Sequence, residues 1–200
     1  MVERVTGRGA FIVLVGPDGV GKTTVARELI AAFPGPTGYF HFRPSVRRPL
    51  SPTPPTWSAA PADKGVAHGW RPVGWLRLIR SYLFFWAGYV WRVRPAVRRG
   101  ALVVGDRWAF GYVIQPRSVK FYGPGWLARL AVRALPQPDL VANLRAPAPL
   151  VHARKQELTL DQIDSELEAW SVLHTRSVRT FSTVGEPAAT ARQILESLPR

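Results

Sequence analysis

The sequence predicts an α/β domain with a mainly parallel sheet, and three observations carry that expectation. Strand-like apolar runs alternate with segments of helical periodicity along the chain. The first run, Ala10 to Val15 (AFIVLV), is continuously apolar, the pattern of a central strand covered on both faces. A glycine-rich loop follows it directly and leads into a segment where Val25, Leu29 and Ala32 recur at helical spacing.

The elements follow in order. Thr23 to Phe33 reads as the first helix, broken by Pro34 to Gly38, and Tyr39 to Phe42 as a short strand leading to Arg43 and Pro44. Pro44 to Pro72 is rich in Pro, Ser, Thr and Gly and has neither helical period nor alternation, so an insertion near a functional site, not a linker between domains, is expected there. Gly74 to Val93 reads as an aromatic helix buried in the core and stopped near Pro95. Ala101 to Gly105 and Leu140 to Leu144 are further core strands, with a helix from Trp126 to Leu135 between them. Helices over Pro147 to Gln156 and Asp161 to Ser177, a strand over Val178 to Val184 and a helix over Pro187 to Leu198 complete the chain.

Two hundred residues with 46% hydrophobic content suit one globular domain. The chain has no cysteine, which removes disulfides and thiolate metal sites and fits the cytoplasm. Met1 to Ala10 lacks the apolar run of a signal peptide. The uncharged part of the aromatic segment, Ser81 to Trp91, is too short to span a bilayer, so no transmembrane helix is expected. The net charge of +14 attracts polyanions, but the basic residues are scattered and form no nucleic-acid signature, so no specific nucleic-acid partner is expected.

The segment Gly16-Pro17-Asp18-Gly19-Val20-Gly21-Lys22-Thr23 satisfies G-x-x-x-x-G-K-[ST], the Walker A pattern, with Thr24 following it. Glycines let successive backbone N–H groups converge on phosphate oxygens, and the helix N-terminus adds its positive dipole end. Lys22 is positioned to reach the β- and γ-phosphates, and the Thr23 hydroxyl to ligate Mg²⁺. An Asn-Lys-x-Asp guanine signature is absent, which favours ATP as the nucleotide. Asp106 ends the ALVVG run, at the carboxyl edge of a core strand where a Walker B aspartate holds magnesium; a helix N-cap is the simpler alternative. Arg107 beside it offers a planar fork to a phosphate.

The ordered set GPDGVGKTT, RPAVRRGALVVGDRW, PDLVANLRAP and VRTFSTVGEPAATARQIL resembles thymidylate kinases and their relatives. That resemblance implies a P-loop NTPase fold, a five-stranded parallel sheet with helices on both faces and a lid at about residues 154–166. It implies transfer of the γ-phosphoryl of ATP to a nucleoside monophosphate, with dTMP as the default acceptor. Asp18 matches the acidic position beside the acceptor, and Arg43 the arginine that clamps the acceptor phosphate. Arg154 and Lys155 fall where the lid begins, and Val20 stands where some relatives carry an arginine. Relatives are often homodimers, and the aromatic helix is the candidate interface.

Several positions depart from the family. An ungapped match places Phe84, Phe85, Trp86 and Ala87 where thymidylate kinases carry an arginine and a glutamine for the acceptor. Arg145 replaces a usual aspartate, and Gln156 to Glu168 is acidic and contains no arginine. Two alternatives therefore stand beside the thymidylate reading: a kinase of another small-molecule acceptor, and an ATP-binding regulatory protein with vestigial transfer. Of the four histidines only His41 lies near a predicted site, and no catalytic role is assigned to it.

Overall fold

The computed structural model describes residues 9–54, 71–116, 119, 121, 123–156, 158–173 and 177–199. In chain order the elements are β1 (Ala10–Val15), α1 (Lys22–Ala32), β2 (Thr37–His41), α2 (Arg71–Gly88), a π-helical turn (Tyr89–Val93), α3 (Arg94–Arg98) and β3 (Leu102–Asp106). A 3₁₀ turn (Trp108–Phe110), α4 (Gly111–Ile114), α5 (Gly125–Ala134), β4 (Leu140–Arg145), α6 (Ala148–Arg154), α7 (Leu160–Ser171), β5 (Val178–Ser182) and α8 (Pro187–Glu196) follow. The five strands form one wholly parallel sheet in the order β2-β3-β1-β4-β5.

β1 sits at the centre because no side chain of AFIVLV tolerates solvent, and all six residues are buried. Its large apolar side chains each contribute roughly 1.5–3 kcal/mol on burial. Alternation splits them between two cores. Ala10, Ile12 and Leu14 pack with α1, α6 and α8; Phe11, Val13 and Val15 pack with α2, the 3₁₀ turn and α5. Both faces of the sheet are therefore covered, as a parallel sheet requires. The β2 edge is capped by the start of the Pro-rich segment, where Tyr39 and Ser51 exchange backbone hydrogen bonds of 2.7 and 3.0 Å. Residues 55–70 of that segment lie outside the described residues.

The aromatic helix departs from the sequence expectation twice. It does not stop at Pro95: the chain stays helical to Arg98 through the π turn, in which Arg94 N–H bonds the Tyr89 carbonyl five residues back. A proline ring clashes with the carbonyl four residues earlier in a regular α-helix, and the wider turn removes that conflict. Nor is the helix buried all round. Leu78, Phe85 and Val93 enter the core, whereas Leu76, Ile79, Leu83, Phe84, Trp86, Val90 and Trp91 are exposed. The expected helix ending at Ser177 is also shorter, closing at Ser171. The 3₁₀ turn and α4 were not expected; elements of three and four residues carry too little periodicity to read.

Phe85 is 1% exposed and touches Trp108 edge-on, with ring centroids 4.8 Å apart, while Leu83 is 61% exposed. Phe85→Ala is expected to cost about 3–5 kcal/mol in chemical denaturation, and Leu83→Ala less than about 0.5 kcal/mol. Equal losses would contradict this burial pattern.

Candidate functional site

The loop between β1 and α1 turns on three glycines at positive φ: Gly16 (134°), Gly19 (86°) and Gly21 (103°). A side chain on Gly16 would also meet the Leu144 carbonyl at 2.6 Å. Gly21 caps α1 without a side-chain bond, which leaves the amides of the first turn for an anion. Thr23 is half-buried and Thr24 exposed in that turn, and Val20 is buried. Lys22 is buried and folds back onto the loop, donating to the carbonyls of Gly16 (3.0 Å) and Pro17 (2.8 Å) and approaching Asp18 at 3.4 Å. Burial, followed by the nearby Arg107 charge, lowers its pKa.

β3 delivers Asp106 to the same edge. Strand alternation places Leu102, Val104 and Asp106 on the α1 side, and the register sets Asp106 opposite both Leu14 of β1 and His41 of β2. Asp106 Oδ2 accepts from His41 Nδ1 (3.0 Å) and Tyr39 OH (3.3 Å). Burial opposes its charge, but the His41 bond and the Lys22 charge outweigh it and lower its pKa. An ionised carboxylate only accepts, so His41 Nδ1 carries the proton. Burial and the Asp106 charge raise the Tyr39 pKa.

Arg107 reaches the loop through a strained turn. Arg107 and Trp108 stand at φ 74° and 46°, a conformation costing of order 1–3 kcal/mol for non-glycine residues. Packing holds it there: Trp108 is fully buried against Phe11 and Phe40, with centroids 5.4 and 5.8 Å apart. Gly105 precedes them because a Cβ there would stand 2.7 Å from the Phe40 ring. The Arg107 guanidinium pairs with Asp18. Burial would raise the Asp18 pKa, yet Lys22 and Arg107 hold it well below the usual carboxylate range. Arg107 moves the other way, its pKa raised by Asp18 against the effect of burial.

Glu166 of α7 was not anticipated. It accepts a backbone hydrogen bond from Asp18, and burial together with the Asp18 charge raises its pKa. Arg154 and Lys155, at the end of α6, lean on the loop: Arg154 donates to the carbonyls of Val20 (3.4 Å) and Thr183 (2.8 Å), and the Lys155 Cβ lies 3.1 Å from where a Gly19 side chain would begin. Thr183 Oγ1 binds the Val20 carbonyl at 2.8 Å, so the end of β5 also braces the loop.

Beside this edge lies a cavity of about 480 Å³ lined by Arg43, Arg80, Arg107, Phe42, Tyr112 and Trp170. The lining includes side chains that the sequence alone did not single out. Arg80 and Ser81, one turn before Phe84, line the cavity from α2, and Gln115 lines it after α4. Phe85 is core instead, and Phe84 carries the Arg43 guanidinium 4.9 Å from its ring centre. An Arg-Ser pair on the first helical turn before the aromatic run was the available signal. Gln115 followed the Asp-Arg step closely enough to have been noticed. Arg145 closes β4, half-buried, and does not line the cavity.

Among the described residues four buried side-chain atoms have no hydrogen-bond partner: Asp106 Oδ1, Arg107 Nε, Trp170 Nε1 and, in β4, Asn143 Oδ1. Such groups are costly unless a ligand satisfies them. The donor set suits magnesium. Among the described residues no group of three acidic or histidine side chains is placed to enclose a metal, and Mg²⁺ in phosphate sites takes only one or two protein oxygens. Asp106 Oδ1 and the Thr23 hydroxyl are the oxygens of that kind.

No protein-family model matches the sequence, and comparison with characterised proteins found no sequence match. Comparison of folds found thymidylate kinase from Ehrlichia chaffeensis, with a TM-score of 0.53 and 11% identity over 94% of this chain and 97% of that one. The likeness shows the fold: a five-stranded parallel α/β structure of the P-loop NTPase kind.

A carboxyl whose folded pKa is raised contributes instability that grows as pH rises through that pKa. Glu166→Gln is therefore expected to raise the melting temperature at pH 7 and to lose that advantage towards pH 4, where the parent residue is protonated. A melting curve series across pH checks it.

Proposed function

We propose that the protein is a kinase: an ATP-dependent phosphotransferase that moves the γ-phosphoryl of ATP onto a small anionic acceptor, with a nucleoside monophosphate, dTMP by default, as the leading candidate. One observation carries the reading: a cavity with three arginines on an aromatic floor opens beside a glycine loop built to receive phosphate. The fold shared with a thymidylate kinase supports it at the level of architecture.

In this reading the loop amides from Gly16 to Thr24 and Lys22 hold the donor phosphates, and Thr23 and Asp106 hold Mg²⁺. Magnesium, when bound, neutralises charge on the β- and γ-phosphates. Lys22 exchanges its contacts with the Gly16 and Pro17 carbonyls for phosphate oxygens. Arg43, Arg80 and Arg107 orient the acceptor's anionic group, and Asp18 sets its attacking end against the loop. Arg154 and Lys155 supply lid charge from residues 154–166, in place of the loop arginine that Val20 lacks. The chain works as one domain in the cytoplasm, where ATP is available.

A second reading, a nucleotide-dependent binding protein, draws on the internal carboxylates: Asp18 and Glu166 already engage Arg107, Lys22 and a loop amide. ADP release from magnesium-ATP, with dTMP and a panel of monophosphates, sugars and alcohols, separates the two. Acceptor-stimulated release supports the kinase, and tight ATP binding without it supports the binding protein.

Lys22→Ala is expected to lower kcat/KM at least ~100-fold with the melting temperature nearly unchanged. Arg80→Ala is expected to raise the acceptor KM roughly tenfold or more and to leave the ATP KM in place, since one charge-assisted hydrogen bond is worth about 1.5–3 kcal/mol. A rise confined to the ATP KM would remove Arg80 from the acceptor side.

A further inference from the structure

The side of the sheet covered by α2 and α5 combines bare apolar surface with a one-signed charge. On α2 and the π turn, Leu76, Ile79, Leu83, Trp86 and Val90 follow a 3-4-3-4 spacing on one stripe and are 68, 54, 61, 37 and 38% exposed. Trp91 extends the stripe at 62%, and Trp126 and Leu130 of α5, in the same layer, are each 58% exposed. Between them these side chains leave on the order of several hundred Å² of apolar surface in water on two helices of that layer, and exposed apolar surface of that extent marks interaction sites.

The charge along this stretch of sequence has one sign. Residues 65–138 hold eleven arginines and one lysine against a single carboxylate, Asp106, and so carry +11 of the net +14. Asp106 is buried in the site described above. Arg94, Arg98 and Arg99 after the stripe, and Arg129 and Arg133 on α5, are exposed. The acidic side chains lie elsewhere, on α1, α7 and α8 among others.

Two occupants fit an apolar stripe of this spacing, a second copy of the chain and a lipid surface, and the charge separates them. Apposing two copies through this layer sets like charge against like charge, because Arg94, Arg98, Arg99, Arg129 and Arg133 are exposed and the one carboxylate of residues 65–138, Asp106, is buried. An anionic bilayer satisfies both features, taking Leu and Trp side chains into the acyl boundary and arginines against headgroup phosphates. Among the described residues no helix is long and apolar enough to cross a membrane, so the contact lies on the surface. We propose that the α2–α5 layer docks on an anionic membrane surface, with α2 lying in the interface. Arg80 and Ser81 project from that same helix into the cavity, which brings the cavity close to headgroup level.

The test is co-sedimentation of the full chain with phosphatidylcholine vesicles, with and without roughly 30% phosphatidylglycerol. The expected result is binding to the anionic vesicles at least ~10-fold stronger than to neutral ones, weakened as salt rises from about 0.1 to about 0.5 M. Leu83→Glu and Trp91→Glu, both at exposed positions outside the cavity, are each expected to abolish binding while ATP binding persists. Arg98→Glu with Arg99→Glu is expected to remove the preference for anionic lipid. Protein that stays in the supernatant overturns the proposal, as does vesicle binding that the Leu83 and Trp91 variants do not change. A homodimer by light scattering that Leu83→Glu splits, with no vesicle binding, overturns it in favour of the second copy. These readouts do not depend on phosphoryl transfer, so failure of the kinase reading leaves the test intact.

Discussion

Every feature of the site descends from one constraint: a six-residue strand with no solvent-tolerant side chain must be central. β1 meets it by pairing with β3 on one side and β4 on the other, in parallel. The chain leaves β1 at the point where successive connections diverge to opposite halves of the sheet, and in open parallel sheets a crevice forms there. The glycine loop opens into that crevice, and β2 and β3 bring His41, Asp106 and Arg107 to the same edge by register alone. A one-residue slip in β3 would turn Asp106 to the other face and dismantle the arrangement.

What gathers at that edge is an unbalanced set of charges held in check by two aspartates. Asp106 receives His41 and Tyr39, and Asp18 receives Arg107 and Lys22. Each carboxylate stays ionised in spite of burial because cations surround it, and Lys22 is depressed because it is itself buried. Such a cluster strongly favours an incoming polyanion, which satisfies Lys22, Arg107 and the loop amides together. Strain belongs to the same design. The left-handed Arg107-Trp108 step persists because Trp108 is locked among aromatic rings, and it turns the Arg107 guanidinium onto Asp18.

The glycine loop, the central strand, the sheet's parallel character and the Asp106-Arg107 step were legible because each is local. Hydrophobic continuity, a contiguous motif and a strand terminus all lie within ten residues of sequence. The cavity wall was legible only in part. Arg43 and Arg107 were anticipated, whereas Arg80, Ser81, Tyr112, Gln115 and Trp170 were not. Residue type along the aromatic helix does not say which side chains face the cavity, because that depends on how the helix packs on the sheet. Glu166 was read only as part of an acidic stretch, since nothing local says which carboxylate of α7 faces the loop.

The sequence by itself determined where the glycine loop turns and which strand ends in Asp106, because dihedral freedom, residue type and apolar runs are properties of short segments. Tertiary structure decided which face of the aromatic helix is core and which is bare. Periodicity marks a helix as apolar without stating what lies against each side. It also decided that Arg94, Arg98, Arg99, Arg129 and Arg133 are exposed on the elements that flank that bare face, and that Arg43, Arg80 and Arg107 meet in one cavity. Those are distances between residues far apart in the chain, and only packing against the sheet sets them.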